Sequence, residues 1–271
     1  MAAVPPDAVP VLLVGAGHMG GALAQGWIAS GALEPRQLMI ADPSPGAAAR
    51  AAIEAGAVAG PSDLQLAGAR TVVLAVKPQG WRAAVEALAD LPAEAIVFSI
   101  MAGVAAAPIR AAFGARRVGR VMPTLAAAIG RGSASVWAPD DAVRARAMSL
   151  FSPLGTVVDL PDEAMIHVAT AASGSAPAYA YALVEALQAA GVAQGLPAAA
   201  ARDLARGALI GAAALLESSG AEAGTLRAQV ASPGGTTEAA LKVLQGDGAL
   251  ERLIGTAVAA AAARSRELAV P

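Results

Sequence analysis

The chain has 271 residues, enough for one large or two ordinary domains, and 56% hydrophobic against 15% charged residues describes a well-packed globular protein. A formal net charge of −2 with no Lys/Arg run leaves no electrostatic footprint for nucleic acid. The absence of cysteine excludes disulfides, thiolate zinc sites and thiol catalysis, and two histidines are too few for a histidine-rich centre, so no metal site is expected.

Met1 to Pro10 has neither a basic n-region nor an apolar h-region and reads as a short disordered tail with no secretion signal. Val11-Leu12-Leu13-Val14 then reads as a strand. It leads through Gly15-Ala16-Gly17-His18-Met19-Gly20 into an apolar helical stretch. Strand, Gly-x-Gly-x-x-Gly, helix is the dinucleotide fingerprint: Gly15 makes the tight turn, Gly17 admits a pyrophosphate, and Gly20 lets the helix pack on the strand. His18 and Met19 sit within the same loop. A second strand, Leu38 to Ala41, ends at Asp42, about 20 residues beyond the last glycine, where a carboxylate reaches an adenosine ribose.

Further strands are expected at Val72–Val76, Ile96–Ile100, Arg117–Val121 and Thr156–Leu160. They alternate with helices near 20–30, 46–55, 80–89, 104–113 and 140–150. That order predicts a doubly wound parallel α/β sheet over residues 1–161. Ligands of such sheets bind at the carboxyl ends of the strands. Val76, Lys77 and Pro78 close one strand, Ala102 and Gly103 follow another, and Met122 closes a third.

After Pro161 the strand signals stop. Residues 162–271 are rich in Ala, Leu and Glu, with breaks at Gly191, Gly195-Leu196-Pro197, Gly220, Gly234-Gly235 and Gly246-Asp247-Gly248, and are expected to be all α. Val168 to Val184 is uncharged, but Ser173, Ser175, Pro177 and many alanines make it a poor membrane span despite a mean hydropathy of +0.56. Alanine-rich helices bury modest area, which favours pairing with a second copy through this domain, the alternative being a compact monomer in which the helices cover the nucleotide domain. Ser232-Pro233-Gly234-Gly235-Thr236-Thr237 runs into a helix and offers free N–H groups to a carboxylate or phosphate.

Taken together, the Gly15–Gly20 loop, Val76-Lys77-Pro78-Gln79, Met122-Pro123, Ser173 to Tyr179, Val230 to Thr237 and Arg264-Ser265-Arg266-Glu267-Leu268 resemble the pyrroline-5-carboxylate reductase family over nearly the whole chain. The resemblance implies an amino-terminal Rossmann domain, a carboxyl-terminal all-α dimerisation domain, and reduction of 1-pyrroline-5-carboxylate to L-proline by NADPH or NADH in the cytoplasm. It also implies a homodimer through the helical domain, within a decamer of dimers as the larger assembly. In its terms Gly15, Gly17, His18, Met19, Gly20, Asp42, Val76, Lys77, Pro78, Ala102 and Gly103 bind the cofactor. Ser232, Gly234, Gly235, Thr236 and Met122 bind the substrate, and the Thr237 hydroxyl is the catalytic contact to the ring nitrogen. The chain departs from the family after Met122-Pro123, where Thr124-Leu125-Ala126 replaces Asn-Thr-Pro, and at Asp42, whose charge opposes the ribose phosphate of NADPH. A β-hydroxyacid dehydrogenase would need a lysine between Met165 and Tyr179, and none is present. A nucleotide-sensing protein without turnover is the reading from another class.

Overall fold

The computed structural model describes residues 4–86, 88, 91–114 and 116–269. They divide into two compact units, the first containing residues 1–174 and 260–271, the second Ser175–Ala259. The change of element type at Asp162 therefore precedes the division by contacts, because the helices just after Asp162 pack in the first unit.

The first unit is built on strands β1 (Val11–Val14), β2 (Leu38–Ala41), β3 (Val58–Ala59), β4 (Thr71–Leu74), β5 (Ile96–Ser99), β6 (Val118–Pro123), β7 (Gly132–Trp137) and β8 (Gly155–Asp159). Their order is β3-β2-β1-β4-β5-β6-β7-β8. β1, β4 and β5 are buried throughout, as expected for apolar runs covered on both faces. β1 pairs in parallel with β2 and β4, Val11 lying opposite Leu38 on one side and Thr71 on the other. The strand order reverses there, which opens a crevice above the carboxyl end of β1.

The sheet is not wholly parallel, as the sequence led us to expect. β7 runs antiparallel to β6, with Val121 opposite Val136, and β8 follows β7. Between β6 and β7 lies only one 3₁₀ turn, Leu125–Ile129, far short of the crossover a parallel return requires. β3 and β7 were not anticipated. Two residues give no periodicity, and Gly132-Ser133-Ala134-Ser135 lacks the β-branched bulk that marks a strand.

Helices α1 (His18–Ala29), α2 (Ala47–Glu54), α3 (Asp63–Leu66), α4 (Trp81–Glu86), α5 (Ala106–Ala112) and α6 (Asp141–Phe151) cover the two faces. The helix expected over 80–89 is seen as α4; Ala87, Ala89 and Asp90 lie outside the described residues. One face is closed by Trp27, Phe98, Phe151, Leu23 and Leu150, the other by Trp81, Val85, Ile109 and Phe113. Trp27 is fully buried, its ring centroid 6.1 Å from that of Phe151, and its Nε1–H donates to the Leu150 carbonyl at 2.8 Å. The amino-terminal segment is ordered from Val4 onward, contrary to the tail expected. Val4 and Ala8 are buried in the core and the Ala8 carbonyl accepts from the Thr71 hydroxyl at 2.8 Å, so apolar side chains hidden among prolines anchor it.

Beyond β8 come α7 (Met165–Ala169), a π turn (Thr170–Gly174), and α8 (Ala176–Ala193), α9 (Ala198–Ser219), α10 (Ala223–Val230), α11 (Thr236–Gln245) and α12 (Ala249–Glu267). Four of the expected breaks fall between helices, but Gly191 lies inside α8. A Cβ there would meet Leu196 at 3.2 Å and Ala201 at 3.3 Å, so this glycine serves close approach of α9 to α8 instead of a turn. Among the described residues, no helix is long and apolar enough to cross a membrane.

Replacing Trp27 by Ala should cost about 3–5 kcal/mol, from lost burial and the cavity left behind. Trp27→Phe, which leaves the Leu150 carbonyl without its donor, should cost about 1–3 kcal/mol. Urea unfolding at one fixed protein concentration checks both values and their order.

Candidate active site

Sterics decide the geometry of the glycine loop. Gly15 has φ +87°, and a Cβ on it would stand 2.8 Å from main-chain atoms of Ala75 and Val76 where β4 ends. A Cβ on Gly20 would be 2.2 Å from the Gly15 carbonyl oxygen, so α1 can begin against the turn only without a side chain there. Gly17 caps α1, and a Cβ on it would meet nothing within 4 Å. The space before the helix start is thus open, as a pyrophosphate approaching the first N–H groups requires. His18 is the exposed first residue of α1, and Met19 packs partly against the core.

Asp42 stands at the end of β2, where the fingerprint places it, but both of its oxygens are already engaged. Oδ2 accepts from the Ala16 N–H at 2.5 Å and Oδ1 from the Ser44 N–H at 2.7 Å. The side chain therefore staples the glycine loop to the loop after β2. Beside it lies a cavity of about 460 Å³ lined by Gly15, Asp42, Pro43, Pro61, Leu66 and Val76, of a size and apolarity suited to an adenosine. The dinucleotide thus fits the residues present.

At the neighbouring strand ends, Lys77 is exposed and precedes the turn Pro78–Gly80. Ala102 is half-buried, and Gly103 has φ +76°. Ser99 and Thr124 are buried and serve their own loops: Ser99 Oγ accepts from the Met101 N–H at 3.3 Å, Thr124 Oγ1 from the Ser133 N–H at 2.9 Å. Met122, also buried, faces Gly174, where a Cβ would stand 3.4 Å from its Cγ.

Sequence reasoning passed over Arg120 and Glu163. Arg120 is 2% exposed in the middle of β6; its Nη2 donates to the Met101 carbonyl at 3.0 Å and its Nη1 lies 3.5 Å from Glu163 Oε1. A lone arginine in a strand and a glutamate in a loop carry no motif. Burial lowers the guanidinium pKa, while the charge and hydrogen bond of Glu163 oppose the shift. His167 Nδ1 lies 2.9 Å from Ser265 Oγ, and burial first, then Arg120 and Arg266, push its pKa down against the opposing charge of Glu163.

The second unit holds the Ser232–Thr237 turn. Gly234 has φ +70° and Gly235 caps α11, where a Cβ would stand 2.6 Å from Ser232 Oγ. Two of the main-chain donors that the resemblance assigns to a substrate carboxylate are used within the turn. The Gly234 N–H donates to Glu238 Oε2 at 2.5 Å and the Gly235 N–H to the Ser232 carbonyl at 3.0 Å. The Gly234 N–H, then Lys242, hold the Glu238 carboxyl below the usual carboxylate range. Thr236 and half-buried Thr237 open α11, so their N–H groups have no acceptor within the helix. The first unit thus gathers Gly15, Gly17, Gly20, Asp42, Val76, Lys77, Gly103 and Met122 at strand ends, while Ser232 to Thr237 belong to the second.

A glycine-loop doubly wound unit joined to an all-α unit defines a dinucleotide-dependent oxidoreductase. The family described as pyrroline-5-carboxylate reductase dimerisation matches residues 163–268, and the family described as NADP oxidoreductase, coenzyme F420-dependent, matches residues 10–103. The chain is 38% identical to the pyrroline-5-carboxylate reductase of Pseudomonas aeruginosa, over 96% of each chain. It is 36% identical to that of Arabidopsis thaliana, over 98% of this chain and 97% of the other. The solved pyrroline-5-carboxylate reductase of Coxiella burnetii has a TM-score of 0.88 at 31% identity, covering 97% of this chain and all of the other. The pyrroline carboxylate reductase of Plasmodium falciparum, solved with NADP bound, shares the fold at a TM-score of 0.81 and 24% identity over 97% of this chain and 99% of the other. The chain belongs to the pyrroline-5-carboxylate reductase family.

Two glycine variants separate folding from binding in the loop. Gly17→Val should leave the unfolding midpoint unchanged and weaken binding of the reduced cofactor by about 100-fold or more, since the side chain would project into the open space that the fingerprint assigns to the pyrophosphate. Gly15→Val should lose both, because the clash with Ala75 and Val76 is internal. Thermal unfolding and fluorescence titration with NADPH and NADH distinguish the two patterns.

Proposed function

We propose that the chain reduces 1-pyrroline-5-carboxylate to L-proline, with the dinucleotide held by the first unit and the cyclic imine by the Ser232–Thr237 turn. The observation that carries the assignment of the turn is the pair of N–H groups of Thr236 and Thr237 at the start of α11, which have no acceptor within the helix, beside Gly234, where a Cβ would meet nothing within 4 Å.

When bound, NADPH or NADH supplies the hydride. The protein has to hold a planar imine and steady its nitrogen as the C=N electrons move onto it; neither nucleophile nor metal is needed. In this reading the Thr236 and Thr237 N–H groups take the substrate carboxylate, while Ser232, Gly234 and Gly235 keep the turn narrow. The Thr237 hydroxyl pairs with the ring nitrogen, which arrives protonated or takes its proton from water. Met122 is assigned to the substrate by the family resemblance alone. Gly15, Gly17, His18, Met19 and Gly20 hold the pyrophosphate, Asp42 and Val76 border the adenosine, and Lys77, Pro78, Ala102 and Gly103 lie along the nicotinamide half.

A homodimer through the helical unit accompanies this reading. Tyr181, Leu183, Leu187, Leu204, Ile210 and Leu215 of α8 and α9 are each about half exposed or more, large apolar side chains that pairing with a second copy would cover. The decamer of dimers and the cytoplasmic location rest on the family resemblance.

Because Asp42 directs a fixed negative charge at the edge of the adenosine cavity, NADH should be used effectively, and Asp42→Ser should shift the ratio of kcat/KM values toward NADPH by about 10-fold. Wild type strongly preferring NADPH, with a ratio untouched by the substitution, would place the ribose elsewhere.

Thr237→Ala should lower kcat/KM for the imine by about 10-fold or more, the loss of one hydrogen bond worth about 1.5–3 kcal/mol to a group changing charge. Thr237→Ser should retain most activity, and Thr236→Ala should be mild because only its N–H is used. Steady-state assay of cofactor oxidation, with proline identified as product, tests both the activity and this ordering.

A further inference from the structure

Reduction of a C=N bond makes no demand for a buried arginine, yet Arg120 sits inside the sheet with its Nε lacking any hydrogen-bond partner. As a source of stability the ion pair with Glu163 is poor, since desolvating two charges offsets most of their attraction. Its contacts point instead to one short segment. The guanidinium holds the Met101 carbonyl at 3.0 Å, and Glu163 Oε1 accepts from the N–H of Ala106, first residue of α5, at 2.7 Å. One ion pair therefore grips both ends of the connection from β5 to α5.

The middle of that connection is covered from another direction. A Cβ on Gly103 would stand 2.8 Å from the Cβ and the carbonyl oxygen of Leu268, which follows the end of α12. One turn earlier Ser265 is tied to His167 on α7, only a few residues beyond Glu163. β5 lies next to β4, on the opposite side of β1 from β2. In a doubly wound sheet the adenosine half lies over the β1–β2 side and the second half of the dinucleotide over the other. Met101 to Ala106 is therefore the loop beneath the nicotinamide half.

We infer that Arg120 and Glu163 are positioning residues that set the Met101–Ala106 loop, with Leu268 as its cover, and so shape the seat of the nicotinamide without touching the reacting atoms. The inference rests on the dinucleotide reading given above. It separates this pair from the adenosine half, which Asp42 and the glycine loop hold.

The test compares NADH with ADP-ribose, which lacks the nicotinamide ring, by calorimetric titration of the full-length protein. Glu163→Ala should weaken NADH by about 10-fold, one charge-assisted contact, and leave ADP-ribose within about two-fold. Glu163→Gln, which keeps an acceptor for the Ala106 N–H, should fall between. Leu268→Gly, which removes the Cβ that faces Gly103 at a partly exposed position, should show the same selective loss to a smaller degree. Equal losses for both ligands, or none for either in the Leu268 and Glu163 variants, overturn the inference alone. If Glu163→Ala does not fold, Leu268→Gly and Glu163→Gln decide it by the same comparison. Failure of the wild-type protein to bind either NADH or ADP-ribose removes the dinucleotide reading and the inference with it.

Discussion

The approach of β4 to the turn after β1 is the constraint on which the first unit depends. At 2.8 Å from Ala75 and Val76 there is no room for any side chain on Gly15, and at 2.2 Å from the Gly15 carbonyl there is none on Gly20. These two absences let α1 start directly above the sheet, which in turn aims its first N–H groups over the crevice where strand order reverses. Gly17 differs, because nothing in the protein occupies the space in front of it. Two of the three glycines thus answer to the fold while the third leaves open space at the helix start, although all three look alike in the fingerprint.

That distinction explains what could be read from the amino-acid sequence. The continuous apolar runs Val11 to Val14 and Ile96 to Ser99 announce buried parallel strands because no polar residue interrupts them. β7 escaped notice because Gly132-Ser133-Ala134-Ser135 is small and polar; its pairing with β6 and β8, not its propensity, makes it a strand. Gly191 misled in the opposite sense. A glycine in an alanine-rich helix reads as a break, but this one lies inside α8 in tight contact with Leu196 and Ala201 from the following turn and helix. Val4 and Ala8 were hidden by neighbouring prolines. The position of Asp42 was legible from spacing, whereas the capture of both its oxygens by main-chain N–H groups depends on how two loops fold together.

The helical unit follows a different economy. α8 and α9 pack through small residues, and only Ala201 and Ala205 of α9 reach full burial while Leu204, Ile210 and Leu215 remain open. Thin helices approach closely but leave their larger side chains on the outside, and a surface of that kind is covered by association more readily than by folding. The match of residues 163–268 to a dimerisation family agrees with this arithmetic of area.

Three acidic side chains near the strand ends and the α11 turn share one habit. Asp42 accepts from Ala16 and Ser44, Glu163 from Ala106, and Glu238 from Gly234, in each case from a main-chain N–H in or beside a loop rich in small residues. Loops of glycine and alanine have little side chain with which to hold their shape, and they lose more conformational freedom on folding than other segments. A carboxylate bonded to main chain supplies the missing restraint at the points where a ligand must come close. For Glu238 the same bonding stabilises the charged form and holds its carboxyl below the usual range, which leaves it poorly suited to shuttle protons. Acids placed in this way suit a reaction that needs its partners aligned more than it needs a general acid, since hydride delivery to a flat imine is governed by distance and angle.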